Sequence, residues 1–267
     1  MTAKAEHTER IQREKLHFTE QRLLSIYDWF NTQVSTRQGR SRHHLDIGCY
    51  NGFALPTLAQ AADHVTTLDI DPLMLQTALL RPSVQQLVFA QRLTLDQMDA
   101  RAITYPDNSF TSASCIEVIG AGFEDQEGNE IRANELEHIQ SVINGVHRVL
   151  QPGGLFTLTF KSQSNQRLSE GFNFGTHKGV PLHRKDLRPM LEPLFGQVDW
   201  YGHVWTARIP RIGNKYYMGI PVVETRDETG KYDELDPECF EPISEAQLQA
   251  DGKRPLYWIA MCQKPFE

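Results

Sequence analysis

Two glycines and an aspartate carry the first chemistry legible in this chain. In HLDIGCYNGFALPTLAQAADHVTTLD (residues 44–69), an apolar run leads into Gly48 and Gly52, then a short helical stretch and a second apolar run that ends at Asp69. Glycine lets the backbone turn sharply and lie against a ligand where a Cβ would obstruct it. Asp69 follows Gly48 at about 20 residues, the interval at which a second strand tip presents a carboxylate to ribose hydroxyls. The expected product is a nucleotide-sized pocket. The pattern is not the dinucleotide run Gly-x-Gly-x-x-Gly, because Tyr50 and Phe53 break it and an acid, Asp46, directly precedes Ile47-Gly48. A nicotinamide-dependent dehydrogenase would need that run.

These residues need a scaffold, and the hydrophobic pattern supplies one. A helix is expected from Glu6 to about Gln33, with Leu16, Leu23, Leu24, Tyr27 and Phe30 on one face. Strands are expected at His44–Cys49, Val65–Ile70, Arg92–Met98, Phe110–Val118, Leu155–Phe160, Gln197–Trp205 and Leu256–Cys262. Helices fall between them at Phe53–Ala62, Asp71–Leu80, Val84–Ala90, Asn134–Leu150 and Lys185–Phe195, the last interrupted at Pro189 and Pro193. Asp71-Pro72 reads as an N-cap followed by proline in the first helical position. Alternating strands and helices imply right-handed crossovers and a mainly parallel sheet, with ligands bound beyond the strand C-termini. Gly48, Asp69, Asp99 and Glu117 all fall at such ends.

Composition narrows the partners. The chain has 267 residues, 40% apolar and 23% charged, and a formal net charge of −7. That disfavours a phosphate-backbone partner, which needs clustered Lys and Arg. Arg37, Arg40 and Arg42 read as a solvated linker. Cys49, Cys115, Cys239 and Cys262 show no metal-ligand spacing, and three of them lie in apolar runs as buried thiols, which suits a reducing cytoplasm. The charged N-terminus lacks the apolar core of a signal peptide, and no run approaches the ~20 apolar residues that span a bilayer. No metal, nucleic-acid or membrane partner is expected.

Four motifs in order resemble the class I S-adenosylmethionine-dependent methyltransferases, especially their small-molecule branch. LDIGCYNG resembles the glycine-rich first motif and VTTLDIDPLML the second. DQMDARAITYPDNSFTSASCIEV resembles the third and fourth, and HRVLQPGG the turn before the fifth strand. The likeness spans about Leu45 to Phe160. It implies an α/β fold, a doubly wound, mainly parallel Rossmann-like sheet of seven strands with an antiparallel last strand, and S-adenosylmethionine as cofactor. By the match, Asp46, Gly48, Tyr50 and Gly52 belong to the cofactor loop, and Asp69 with Ile70 to the ribose site. Asp99 would accept from the adenine amino group, with Met98 and Ala100 flanking the ring, and Glu117 would lie by the methionine end. The chain departs from the pattern in two places. Tyr50 stands where glycine is usual, and the histidine common after strand four is absent from Glu117-Val118-Ile119-Gly120-Ala121-Gly122, so no general base is carried over.

An acceptor hydroxyl must lose a proton, and histidine is the usual base. His177, His183 and His203 are the catalytic candidates, with His138 as a further one; a neutral amine acceptor would need none. The expected organisation is one methyltransferase domain over 1–267, with an N-terminal helical extension (1–42) and an insertion (206–255) carrying Arg208, Arg211, Tyr216, Tyr217, Met218 and Tyr232. The insertion, with the N-terminal helix, reads as a lid that forms the acceptor pocket, with a homodimerisation arm or a mobile loop as the alternative. The resulting expectation is a cytoplasmic enzyme that methylates oxygen or nitrogen of a small molecule. RNA or protein methylation, and a non-catalytic cofactor-binding partner subunit, remain as alternatives.

Overall fold

A sheet of eight strands runs through the structure, a computed structural model that describes residues 20, 23–119, 123–124, 130–131, 135–162, 182–205, 211–212, 215–216, 240–251, 255 and 257–266. The strands are β1 (Ser41–Ile47), β2 (Ala62–Asp69), β3 (Leu93–Gln97), β4 (Phe110–Cys115), β5 (Leu150–Lys161), β6 (Gln197–Trp205), β7 (Phe240–Ser244) and β8 (Tyr257–Gln263). The helices are α1 (residues 23–38), α2 (Leu55–Ala61), α3 (Pro72–Leu79), α4 (Pro82–Phe89), α5 (Glu135–Val149), α6 (Arg184–Leu191) and α7 (Glu245–Ala250). Among the described residues no helix is long and apolar enough to cross a membrane.

The strand order is β7-β6-β8-β5-β4-β1-β2-β3. β1 pairs in parallel with β2 and β4, β2 with β3, and β4 with β5. β8 lies antiparallel between β5 and β6, as expected for the last strand. Two expectations need correction. The sheet has eight strands rather than seven, because the C-terminal part of the insertion adds β7 along β6. That part lies along the sheet edge, where Leu248 of α7 packs with Ile243 and Val204. The rest of the insertion lies outside the described residues, apart from a two-residue ribbon pairing 211–212 with 215–216. β6, expected parallel to its neighbours, is antiparallel to both. Two reversals cancel, so β6 still points the way β1 does, and its C-terminal end reaches the ligand edge. The same insertion puts the first residue of β8, Tyr257, on that edge.

Local chemistry explains the elements. Asp71 caps α3 by accepting from the Leu73 N–H at 2.8 Å, with Pro72 next, as the sequence predicts. α6 continues through Pro189 to Leu191 instead of breaking there. α1 runs to residue 38, past the expected Gln33.

The sheet buries both faces. On one, Leu45, Ile47, Ala113, Cys115, Phe156 and Leu158 meet Ile139, Val142, Ile143 and Val146 of α5. On the other, Ile26, Tyr27, Phe30 and Val34 of α1 pack with Tyr257, Ile259 and Met261 of β8. The central strands are polar on this second face, with His44, Asp46, Ser112, Ser114, Thr157 and Thr159 all buried. They are tolerated there because each is hydrogen-bonded, His44, Asp46, Ser112 and Ser114 among themselves and Thr157 and Thr159 to the backbone of Ala260 and Glu117, which removes most of the cost of burying polar groups. Cys49, Cys115 and Cys262 are buried free thiols; Cys239 lies outside the described residues.

Candidate functional site

The loop after β1 is built from left-handed backbone. Gly48 has φ +78° and donates its N–H to Leu68 O at 2.8 Å; a Cβ there would sit 2.4 Å from Val118 Cγ2. Gly52 has φ +76°, and its Cβ would sit 2.7 Å from Ala78 Cβ. Both sites therefore require glycine by conformation and by space. Tyr50 is also left-handed at φ 48° and half exposed. That conformation costs an L-residue about 1 kcal/mol, which explains why glycine is usual there. Tyr50 is held by its N–H, which donates to Asp69 Oδ2 at 3.1 Å.

Asp69 ties the site together. Its other oxygen accepts from the Asp71 N–H at 3.0 Å, so one carboxylate links the glycine loop to the start of α3. Burial pushes its pKa up, against the pull of these backbone donors. Each oxygen keeps a lone pair for a ribose hydroxyl. The Met98 N–H donates to Asp69 O at 3.1 Å, bringing the β3 end beside the β2 end, with Ile70 half-buried next to Asp69. Met98 and Ala100 pack against the core there. Asp99 caps the short turn Ala100–Ala102, and its carboxylate is gripped by Arg101 through Nε at 2.9 Å and a second guanidinium nitrogen at 2.6 Å. Burial alone would raise its pKa, but the Arg101 hydrogen bonds and charge outweigh burial and hold it below the usual carboxylate range.

Asp46 lies beneath the loop. It is buried, and its oxygens accept from Ser114 Oγ at 2.7 Å and Thr67 Oγ1 at 3.1 Å. Burial pushes its pKa up to about 6, with the Asp69 charge adding to the rise against those two hydrogen bonds. It supports the loop from beneath. Glu117 stands at the other side of the loop, just past β4, with φ 60°. Its N–H donates to Thr159 Oγ1 at 2.9 Å, and its Oε1 accepts from Tyr257 O–H at 2.5 Å with Lys161 Nζ at 3.5 Å.

The histidines separate. His203 is buried in β6 and hydrogen-bonded to Ser25 of α1 at 2.8 Å, with the Tyr257 ring 6.0 Å away. His183 precedes α6, where its N–H donates to Asp186 Oδ2 at 2.9 Å. His138 on α5 lies within electrostatic reach of Asp99, at the β3 side. His177 lies outside the described residues.

Sequence reasoning missed Lys161, Tyr257 and Tyr27. Tyr257 opens a largely apolar strand, and placing it required knowing that β8 sits between β5 and β6. Tyr27 is buried near Asp46 and Glu117; burial first, then those negative charges, keep its phenol neutral.

The arrangement fits S-adenosylmethionine. Two glycine positions leave room that a Cβ would fill, a carboxylate stands at the ribose position, and acidic groups at three strand ends suit a cationic sulfonium.

Comparison with known proteins agrees. The methyltransferase domain family matches residues 45–158. No curated sequence relative matches the chain. Among solved structures, the chain is similar to the N-methyltransferase NodS from Bradyrhizobium japonicum WM9 bound to S-adenosyl-L-homocysteine, with 13% identity, TM-score 0.51 and coverage of 89% of this chain and 85% of that one. It is similar to a SAM-dependent methyltransferase from Archaeoglobus fulgidus, with 12% identity, TM-score 0.53 and coverage of 89% and 94%. It also resembles the [4+2]-cyclase SpnF, with 16% identity, TM-score 0.51 and coverage of 90% and 81%. The glycine loop, the acid at the β2 tip and this strand order lie on one edge of the part, residues 45–158, that matches the methyltransferase domain family, and the fold is like that of these solved structures.

Proposed function

We propose that this enzyme methylates an oxygen or nitrogen of a small molecule. The observation that carries the reading is the row of polar side chains on the ligand edge beyond the glycine loop: Glu117 just past β4, Lys161 ending β5, Tyr257 opening β8 and His203 on β6 stand where an acceptor would meet the methyl group. The similar NodS is an N-methyltransferase, which supports nitrogen among the acceptors. The net charge of −7 argues against RNA.

S-adenosylmethionine supplies an electrophilic methyl group on a positively charged sulfur. The chain's own contribution is alignment, since holding a nucleophile in line removes several kcal/mol of barrier. Gly48 and Gly52 let the loop backbone lie close, Asp69 holds the ribose, and Asp99 with Met98 and Ala100 borders the adenine. To accept from the adenine amino group, Asp99 exchanges part of its Arg101 fork. His203 is the histidine of the acceptor end, and its full burial makes it a partner of Ser25 before it is a base. His183 and His177 remain proposals for proton removal by an oxygen acceptor. We place the protein in the cytoplasm, on the strength of its buried free thiols.

The test is a melting-temperature shift with S-adenosylmethionine against NAD, since a ligand bound to the folded state raises the midpoint. A rise with the first alone, lost in Asp69→Ala, is expected; stabilisation by NAD alone sinks the reading. An acceptor screen over small amines, phenols and alcohols, read by release of S-adenosylhomocysteine, then identifies the nucleophile. Turnover of RNA or protein alone in the same assay overturns the small-molecule assignment.

A further inference from the structure

Tyr27 of α1 is 3% exposed, and its hydroxyl makes no hydrogen bond to any described residue. Its polar neighbours on this face of the sheet are engaged: Ser25 bonds His203, Asp46 accepts from Ser114 and Thr67, and Glu117 accepts from Tyr257. Buried hydroxyls nearly always find a partner, so one that has none in the protein points to a ligand. Its place in the fold is specific. The phenol lies within electrostatic reach of Asp46, Cys115, Cys49 and Glu117, residues at or next to the C-terminal ends of β1 and β4. These two strands are neighbours, with β2 and β3 beyond one and β5 beyond the other, so the order of the chain reverses between them. In open α/β sheets a ligand enters at that reversal, beyond the strand ends. The loops past the two strands meet there, since a Cβ on Gly48 would strike Val118 Cγ2. The Tyr27 ring is held by its edge contact with Phe53, centroids 6.2 Å apart, and by the apolar packing of α1.

We infer that Tyr27 receives the methyl acceptor, and that the acceptor is an uncharged amine whose N–H donates to the phenol oxygen while its lone pair faces the methyl group. A phenol buried beside Asp46 and Glu117 stays neutral, so it offers oxygen lone pairs and one O–H but does not take up a proton. That suits an amine. Its lone pair forms the bond to the methyl carbon, the electron pair of the old bond stays on sulfur, and the product leaves as an ammonium, so Tyr27 gains and loses no proton. An alcohol or a phenol must give up its proton on transfer, which a neutral tyrosine does not accept. Orienting the lone pair is the part of catalysis that a neutral group on a fixed ring can supply. This inference rests on the cofactor placement above.

The test compares sinefungin with S-adenosylhomocysteine. Sinefungin carries an amine at the position of the transferred methyl group, on a carbon that replaces sulfur, and S-adenosylhomocysteine carries nothing there. Affinities for both are measured by calorimetry on wild type and on Tyr27→Phe, which keeps the ring and removes only the hydroxyl. The variant is expected to lose about tenfold for sinefungin, the weight of one charge-assisted hydrogen bond, with S-adenosylhomocysteine affinity unchanged. Its melting temperature should not fall, because the hydroxyl bonds no described residue. Equal losses for both ligands, no loss for either, or a lower melting temperature overturns the proposal, the last by giving the hydroxyl a structural partner. In the acceptor screen, Tyr27→Phe should slow amine turnover by about tenfold or more, and turnover of alcohols or phenols alone overturns the amine assignment. Wild-type protein that binds neither compound overturns the cofactor placement itself.

Discussion

His44 and Asp46, two residues apart on β1, are joined through one hydroxyl of the neighbouring strand. Ser114 Oγ donates to Asp46 Oδ1 at 2.7 Å and lies 2.9 Å from His44 Nε2, while His44 Nδ1 lies 2.8 Å from Ser112 Oγ. A hydroxyl has one proton. With Asp46 ionised, Ser114 spends that proton on it, so His44 must donate through Nε2 and accept from Ser112 at Nδ1. Burial, helped by His43, pulls the His44 pKa down to about 3, which keeps the ring neutral and able to play both parts. A single ordered chain of hydrogen bonds thus runs beneath α1 to the base of the cofactor loop.

That chain makes Asp46 a pH-dependent element of stability. Its folded pKa of about 6 lies above that of a free carboxyl, so the folded state binds the proton more tightly than the unfolded chain. The stability this contributes is present below about pH 4 and is lost as pH rises to about 6. Asp46→Asn keeps the shape and removes the charge. Wild type should lose about 3 kcal/mol relative to the variant across that window, measured by urea unfolding at several pH values. A constant difference across the window refutes the burial assignment.

Gly48 should tolerate nothing larger. Alanine there places a methyl against Val118 and forces a left-handed L-residue, at a combined cost of about 2–3 kcal/mol. Thermal unfolding of Gly48→Ala and of the double variant with Val118→Ala separates the two costs. The second change should recover the steric part only, leaving about 1 kcal/mol of backbone strain. Full recovery means that conformation was not limiting.

Tyr50 offers the opposite case. Its φ of 48° is paid in strain, and its half-exposed ring returns little packing. Tyr50→Gly should stabilise the fold by up to about 1 kcal/mol, less the entropy glycine adds to the unfolded chain. The Tyr50 N–H to Asp69 bond needs no side chain, so S-adenosylhomocysteine affinity should survive. A marked loss of affinity assigns the ring a direct role over the ligand.

The sequence made the left half of this site legible because its signals are local. Gly48, Gly52 and Asp69 sit in one β-turn-α-β unit, and Asp71-Pro72 announces the next helix by itself. The right half depends on pairings that local pattern does not encode. Tyr257 reaches Glu117 across 140 positions only because β8 inserts antiparallel between β5 and β6. The burial of Asp46 was not legible for a related reason. Its alternation with Leu45 and Ile47 gives its face, but not the presence of Ser114 and Thr67 to receive it or of α1 to cover it. The eighth strand was missed because Phe240–Ser244 carries a proline and two polar residues, which is tolerable only at a sheet edge.

Glu20 should govern the cofactor loop from outside it. Its Oε1 accepts from Arg81 at 2.7 Å and from Asn51 Nδ2 at 2.9 Å, and Arg81 Nε donates to Asn51 O at 2.8 Å. Asn51 lies between Tyr50 and Gly52, so this triangle ties the start of α4 and the segment before α1 to the loop. The ion pair is partly exposed, so removing it should cost about 1 kcal/mol or less of global stability. The loop should respond more. Glu20→Gln and Arg81→Ala should each speed amide exchange over residues 48–52 and weaken S-adenosylhomocysteine binding by about three- to tenfold, with the double variant no worse than the stronger single one. Additive losses would mean that the two side chains act on the loop separately and that the triangle is not one unit.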